Sequence, residues 1–183
     1  MYIFHITSGS IIINIPNASL TYLGCIGTPM RLTVFSDYSL RVLLYLGTHR
    51  ENISTINEIA ETYGISRNHL MKVVHALGRR GIIETLRGKG GGIRLRLDPH
   101  TVNLGTVVRA TEADTALVEC FDPKHTSCPI VPACALRGVL AEALEAFFRT
   151  LDRTTLADLL GNEQHLLALM VTPPTSRISR KSA

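Results

Sequence analysis

No tryptophan occurs in the 183 residues, and phenylalanine and tyrosine supply only 5% of them, yet 45% are hydrophobic and 19% charged. That balance excludes a disordered or collagen-like chain and leaves a soluble globular one, a single domain or a small domain with appendages. Long hydrophobic runs are missing too. The most apolar stretch, Ile11 to Ile15, is broken by Asn14, whereas a membrane-spanning helix needs about 20 apolar residues, so no membrane role is expected. Cysteine is scarce: four thiols are too few for a secreted disulfide scaffold. Cys25 stands apart, while Cys120, Cys128 and Cys134 fall close together, and an odd, clustered trio fits metal or cluster ligation in a reducing cytoplasm better than it fits pairing. Finally, residues 1–29 lack every Lys, Arg, Asp and Glu. A secretory signal opens with positive charge and MYIFHITSGS does not. Residues 1–29 are therefore read as a disordered or mis-assigned extension ahead of a natural start at Met30, with no function given to them or to Cys25. The alternative is an extra strand built on Ile11 to Ile15.

What is present from Met30 onward is helical patterning. SDYSLRVLLYLGTHR offers Ser36 or Asp37 as a cap, then Leu40, Leu43, Leu44 and Gly47 at three-to-four spacing, ending near His49. STINEIAETYG places Ser54 or Thr55 at a cap with Glu58 in capping-box position and Ile56, Ile59 and Ala60 on one face. A short turn through Gly64 and Ile65 leads to Ser66, which caps RNHLMKVVHALGRRG with Leu70, Val73, Val74 and Leu77 facing inward. Two short helices joined by a tight turn make a helix-turn-helix whose second helix is the reader. Beyond Gly81, IIETL and IRLRL are β-prone runs joined by RGKGGG, which makes a hairpin wing. NLGTVVRATE reads as a further helix, and Glu119 to Cys134, with prolines at 123, 129 and 132, as a loop. A long amphipathic helix from Ala135 to Leu151 follows, then a shorter one from Thr154 to Leu160. The expected fold is mainly α with a small β wing: a winged helix-turn-helix over 30–100, a cysteine loop and dimerisation helices over 101–171, and a disordered basic tail over 172–183.

Charge is unevenly placed. Between Gly64 and Asp98 eight basic residues face two acidic ones, whereas Ala135 to His165 carries three arginines against five carboxylates. The modest whole-chain charge of +4 thus conceals a basic head beside an acidic body. Clustering of this kind also describes a solvated surface, but its coincidence with a helix-turn-helix and a wing is the footprint of a duplex-DNA binder. Ser66, Arg67, Asn68 and His69 occupy the reader's first turn, where side chains and free amides reach phosphate or base edges. Arg67 suits guanine and Asn68 adenine, while Lys72 suits phosphate. The glycines of RGKGGG carry Arg87 and Lys89 outward, toward a minor groove. A Walker-type phosphate loop is rejected, because GKGGG lacks the GxxxxGK[ST] spacing and lies between strands.

The trio Cys120-x7-Cys128-x5-Cys134 puts three thiolates on one proline-stiffened loop, able to converge on a soft metal centre. Structural zinc ranks second, since no CxxC pair is present, and disulfide redox chemistry third. Ordinary buried cysteines come last, because packing thiols have no reason to cluster on a polar, proline-rich loop.

From MRLTVFSDYSLRVLLYL at Met30, through the helix-turn-helix and RGKGGG, to C-x7-C-x5-C and the long helix after it, the chain resembles the BadM/Rrf-type winged-helix transcriptional regulators. Among them it is most similar to the nitric-oxide-sensing iron-sulfur repressors. The resemblance runs from Met30 to about Leu160. It implies a homodimer crossed through the long helix, bound in its cluster-loaded form to a palindromic operator in double-stranded DNA and released when nitric oxide attacks the cluster. In the cluster-biogenesis branch of the family a histidine follows three residues after the third cysteine; that position here is Arg137. Nitric-oxide-sensing members with a 4Fe-4S cluster can use an aspartate at the start of the first helix of the other subunit, and Asp37 in SDYSLR occupies the matching place. Plain N-capping is the alternative role for Asp37, and His125, inside the loop, is a lower-placed rival ligand.

The sequence is therefore read as a cytoplasmic repressor, not an enzyme, with a 4Fe-4S cluster ranked ahead of a 2Fe-2S one and held by Cys120, Cys128, Cys134 and Asp37. Two other readings stand beside it: a regulator of the same fold that senses iron or redox state, and an electron carrier. The carrier would use the same thiolates but has no need of a basic reader and wing. No Ser/His/Asp or paired-carboxylate arrangement is distinctive enough to support hydrolysis.

Overall fold

In the computed structural model residues 4–7, 10–13, 31–122 and 127–170 are described, and the chain divides into two compact units, Met1–Arg31 and Leu32–Ala183. Met30, Cys25, His125 and the tail over 172–183 lie outside the described residues. In the first unit β1 (Phe4–Thr7) pairs antiparallel with β2 (Ser10–Ile13), Phe4 opposite Ile13 and Thr7 opposite Ser10. The second strand takes up the Ile11–Ile13 part of the apolar run.

The second unit is built around α1 (Val34–Thr48), which packs on α3, α4, α6 and the wing. Its cap is Thr33, whose Oγ1 accepts from the Ser36 amide at 3.2 Å, and not Ser36 or Asp37. The reason is tertiary. Ser36 is fully buried and its hydroxyl lies 2.8 Å from that of Thr111, because a buried hydroxyl needs a partner more than a helix end needs that particular cap. With neighbours on several sides, α1 buries Val42, Leu43, Tyr45 and Leu46, a wider set than one stripe would supply.

Helix α2 (Ile56–Tyr63) starts with the expected capping box, Thr55 accepting from the Glu58 amide while Glu58 accepts from the Thr55 amide at 2.6 Å. After the turn at Gly64, Ser66 caps α3 (Arg67–Arg79), which buries Leu70, Val73, Val74 and Leu77. These side chains join Leu43, Leu46, Ile59, Ile83 and Ile93 in one core. Fully burying an aliphatic side chain of this size is worth about 1.5–3 kcal/mol. The wing follows as predicted, β3 (Ile83–Leu86) antiparallel to β4 (Gly92–Leu95), with Ile83 opposite Leu95. It is pinned to the body by a bridge in which the Ile93 amide donates to the Ser54 carbonyl at 2.7 Å and the Ser54 amide to that of Ile93 at 3.0 Å.

Helix α4 (Leu104–Thr111), capped by Asn103, ends where the cysteine segment begins. Among its described residues that segment forms no regular α-helix, as its prolines lead one to expect, and contains two single 3-10 turns, Glu119–Phe121 and Val131–Ala133. Helix α5 (Ala135–Asp152) matches the long helix expected, and the short helix after it contracts to α6 (Leu156–Leu159), capped by a Thr155–Asp158 box. Beyond Leu160, where sequence periodicity assigns nothing, the chain forms α7 (Glu163–Met170). Among the described residues no helix is long and apolar enough to cross a membrane.

Candidate functional site

The reader surface is built by α3's own geometry. Because Leu70, Val73, Val74 and Leu77 turn inward, Arg67, Asn68, Met71, Lys72, His75 and Arg79 are left exposed on the opposite face. Ser66 stays exposed while accepting from the His69 amide at 3.4 Å, so its hydroxyl serves the helix before any ligand. His69 is exposed but leans toward α1, its ring 6.0 Å from that of Tyr38. Arg67, Asn68 and Lys72 are all accessible on the first two turns of α3. At the helix's other end Arg80 donates from Nη2 to the Ala110 carbonyl in the last turn of α4.

The wing tip presents Arg87 and Lys89, both exposed. Gly88 and Gly90 flank Lys89 at φ of 100° and 81°, values that an L side chain rarely adopts. This is the physical reason for glycine in RGKGGG. On the wing Arg94 Nε meets Glu84 Oε1 at 2.6 Å, which pairs an acid that shares a groove with α3 residues.

The cysteine segment is of different character. Cys120, Cys128 and Cys134 are free thiols, half-buried, exposed and half-buried respectively. Cys134 is the N-cap of α5 and makes no side-chain capping bond. Glu119 Oε1 accepts from the Ser127 hydroxyl at 2.8 Å, tying the residue before Cys120 to the one before Cys128. Arg137, at the position where one branch of the family has histidine, donates from Nε to the Cys120 carbonyl at 3.3 Å. Among the described residues no three His, Cys, Asp or Glu side chains are gathered into a metal-binding group, so a single chain does not bring the trio together with Asp37. An open groove of about 1080 Å³ runs beside the segment, bordered by Phe121, Cys134, Arg137, Leu144 and Phe148. Along α5 only Phe148 is buried; Leu136 is 63% exposed, Val139 61% and Phe147 43%.

Asp37 does not cap α1. Both its carboxylate oxygens are taken by Arg41 one turn on, Oδ1 by Nε at 3.0 Å and Oδ2 by Nη2 at 2.8 Å. The root of the cysteine segment is held nearby, since Glu112 Oε1 accepts from the amide of Thr33 at 2.8 Å. Further along, Arg109 grips Asp152 through two bonds of 2.5 and 2.8 Å and lies 4.2 Å from the centre of the Phe148 ring, joining α4 to the end of α5. The Arg109 hydrogen bond holds the Asp152 carboxyl below its ordinary value, and the Thr155 amide does the same for Asp158. Burial pushes the Tyr63 hydroxyl up to about 12 against the lowering influence of Arg41. The close approach of Asp152 to α4 depends on Gly105, where a β-carbon would fall on the carboxylate oxygen.

Sequence reasoning missed Arg41, although an i,i+4 Asp–Arg pair is a legible signal. It also missed Arg80, Glu112, Arg109 and Asp152, whose contacts span 30 to 79 positions and leave no local trace.

Comparison with known proteins places this architecture among transcriptional regulators. The family model Rrf2, an iron-dependent transcriptional regulator, matches residues 32–162. The chain is 52% identical over 142 residues to the HTH-type transcriptional regulator NsrR of Bacillus subtilis (strain 168), covering 77% of this chain and 97% of that protein. It is 48% identical over 146 residues to the regulator of the same name from Halalkalibacterium halodurans, covering 79% and 100%. Among solved structures the fold is similar to T. potens IscR, with a TM-score of 0.61 at 22% identity over 78% of this chain and 93% of that one. CymR, the global cysteine regulator of B. subtilis, gives 0.59 at 24% identity over 72% and 96%.

Proposed function

From the premise that this chain belongs to the Rrf2 family and is a DNA-binding transcriptional regulator, we propose that it is a cytoplasmic repressor that senses nitric oxide through an iron-sulfur cluster. Three unpaired thiols on a single segment between the reader-bearing domain and α5 carry this reading. Their donor chemistry fits such a group: soft, thiolate-forming sulfur is what iron-sulfur centres take from proteins. Cys120, Cys128 and Cys134 would hold the cluster, with Asp37 of a second copy as a harder fourth ligand in a 4Fe-4S form. When bound, the cluster supplies the iron with which nitric oxide reacts.

The chain's own residues do the rest. Arg67 and Asn68 read base edges with Ser66 and His69 beside them in the reader's first turn, Lys72 anchors phosphate, and Arg87 and Lys89 reach toward a minor groove from the wing tip. The apolar, uncovered side of α5 supports a homodimer that would present two readers to a palindromic operator. Arg80 and Glu112 fasten α3 and the start of α1 to the root of the cysteine segment, so a rearrangement of that segment reaches the reader without crossing the core. The same-fold redox sensor differs only in its signal. An electron carrier is disfavoured by the family and by the reader.

Anaerobic purification, iron and sulfide analysis, absorption and resonance-Raman spectra, and a nitric-oxide titration followed by DNA binding test this reading. A coloured iron-sulfur protein that releases DNA as nitric oxide is added is expected. Colourless protein with one zinc per chain, or DNA binding indifferent to nitric oxide, would overturn it.

A further inference from the structure

We propose that the groove between the second half of α3 and the wing is a seat for one DNA backbone phosphate, formed by His75, Arg79 and Arg96. The inference rests on the DNA-binding reading and adds to it a site outside the reader's first turn and the wing tip. A helix in the major groove and a wing in the adjacent minor groove have one sugar-phosphate strand between them. That strand has to cross the surface between α3 and β3.

There the structure has an open groove of about 440 Å³, lined by His75, Gly78, Arg79, Glu84, Thr85 and Arg96 among others. Its cations outnumber its acids, and Glu84, the acid that lines it, is engaged by Arg94. Among the described residues neither Arg79 nor Arg96 has an acidic partner, and His75 and Arg79 are exposed on α3. Arg96 is laid against the turn at Gly81, its Nη1 3.2 Å from where a β-carbon there would stand, so its head lies beside the end of the reader. Gly78 leaves the floor open: a β-carbon there would meet nothing within 4 Å. The Thr85 hydroxyl adds a neutral donor. A concave, cationic site with donors from both α3 and the wing is chemistry for a phosphate oxygen, without preference for base sequence.

The test uses the full chain and the duplexes it selects from a random library, with unrelated duplexes beside them. Arg79→Ala and Arg96→Ala are each expected to weaken binding to both kinds of duplex by a similar factor, and to lower the slope of log K against log salt by about 1. Gly78→Glu replaces a helical glycine with a better helix former in open space, so it is expected to keep the thermal midpoint while losing DNA affinity. In selected duplexes scanned with single methylphosphonates, one uncharged linkage between the reader and wing contacts is expected to weaken the wild-type chain and to have no further effect on the Arg79→Ala/Arg96→Ala variant. Specific binding with unchanged salt slopes, or a methylphosphonate penalty that persists in the double variant, would overturn the seat and leave the regulator reading intact. A wild-type chain that selects no duplex would overturn both.

Discussion

From Thr33 to Thr111 each of the four α-helices begins with a side-chain cap, and each turns at least one buried apolar side chain into a shared core. From Asp114 to Asp152 the pattern is reversed. Helix α5 starts at Cys134 without a side-chain cap, buries Phe148 alone among eighteen residues, and follows three free thiols. The contrast separates two sources of order. The first region is completed by its own side chains, whereas the second leaves free thiols and apolar surface uncovered, which the proposed cluster and second copy would cover.

The comparison breaks most severely at the core. Leu70→Ala, at a fully buried position on α3, is expected to cost about 2–5 kcal/mol, measured by urea unfolding, with DNA binding lost as the reader loosens. A matching deletion on the exposed side of α5 is expected to leave the unfolding curve of the monomeric protein in place. Leu136→Glu with Val139→Glu, both at highly exposed positions, should instead change assembly. Sedimentation is expected to show a monomer with unchanged helix content and palindromic-operator affinity lower by about 100-fold or more, the scale by which two linked modules exceed one. A dimer surviving both charges would contradict the view of α5 as a surface awaiting a second copy.

Smaller effects sharpen the contrast. Arg67→Ala and Asn68→Ala are each expected to cost about 1–3 kcal/mol on the preferred sequence and to relax discrimination, whereas Lys72→Ala and Lys89→Ala should weaken all duplexes alike; competition binding across sequences and salt concentrations separates the two behaviours. Replacing Cys120, Cys128 or Cys134 with serine is expected to abolish the iron-sulfur spectrum, yet to move the unfolding free energy of cluster-free protein by less than about 0.5 kcal/mol, as for other surface changes. The smallest expected effect is at acid pH. Asp152 and Asp158 are held below the ordinary carboxylate value, so their contribution is complete above about pH 3.9 and is lost only as pH falls through their lower folded values. Helical circular dichroism followed from pH 5 to pH 2 is expected to show that late loss, reduced in Asp152→Asn.

What the sequence disclosed follows the same division. Short-range signals in the first region read through to the structure: the Thr55–Glu58 box, the Ser66 cap, the inward set on α3 and the glycines of the wing. Each expresses a rule that acts within a turn or two of chain. The cap of α1 was misassigned because Ser36 answers to Thr111, 75 positions away, and no local rule registers such a partner. In the second region composition revealed the thiols and the amphipathic helix but not their fastenings. Arg109 to Asp152, which ties α5 to α4, exists only once the helices have packed, as do Arg80 to Ala110 within the first region and Thr33 to Glu112 at its edge. Helix α7 carries a legible start, Asn162 ahead of Glu163, which the reading of the sequence passed over.

The crowding of Gly105 by Asp152 also constrains how this chain can change over generations. A first step from Gly105 to alanine drives a β-carbon onto a carboxylate that Arg109 already holds by two bonds, so that step dislodges the partner before anything is gained. Shortening Asp152 first removes the severe overlap and leaves the Arg109 guanidinium, 3.0 Å from the new β-carbon, as the group that has to give way. The two positions, 47 apart in sequence, are therefore easier to substitute in one order than in the other. A lineage that has lost the aspartate can drift at the glycine more freely than one that retains it.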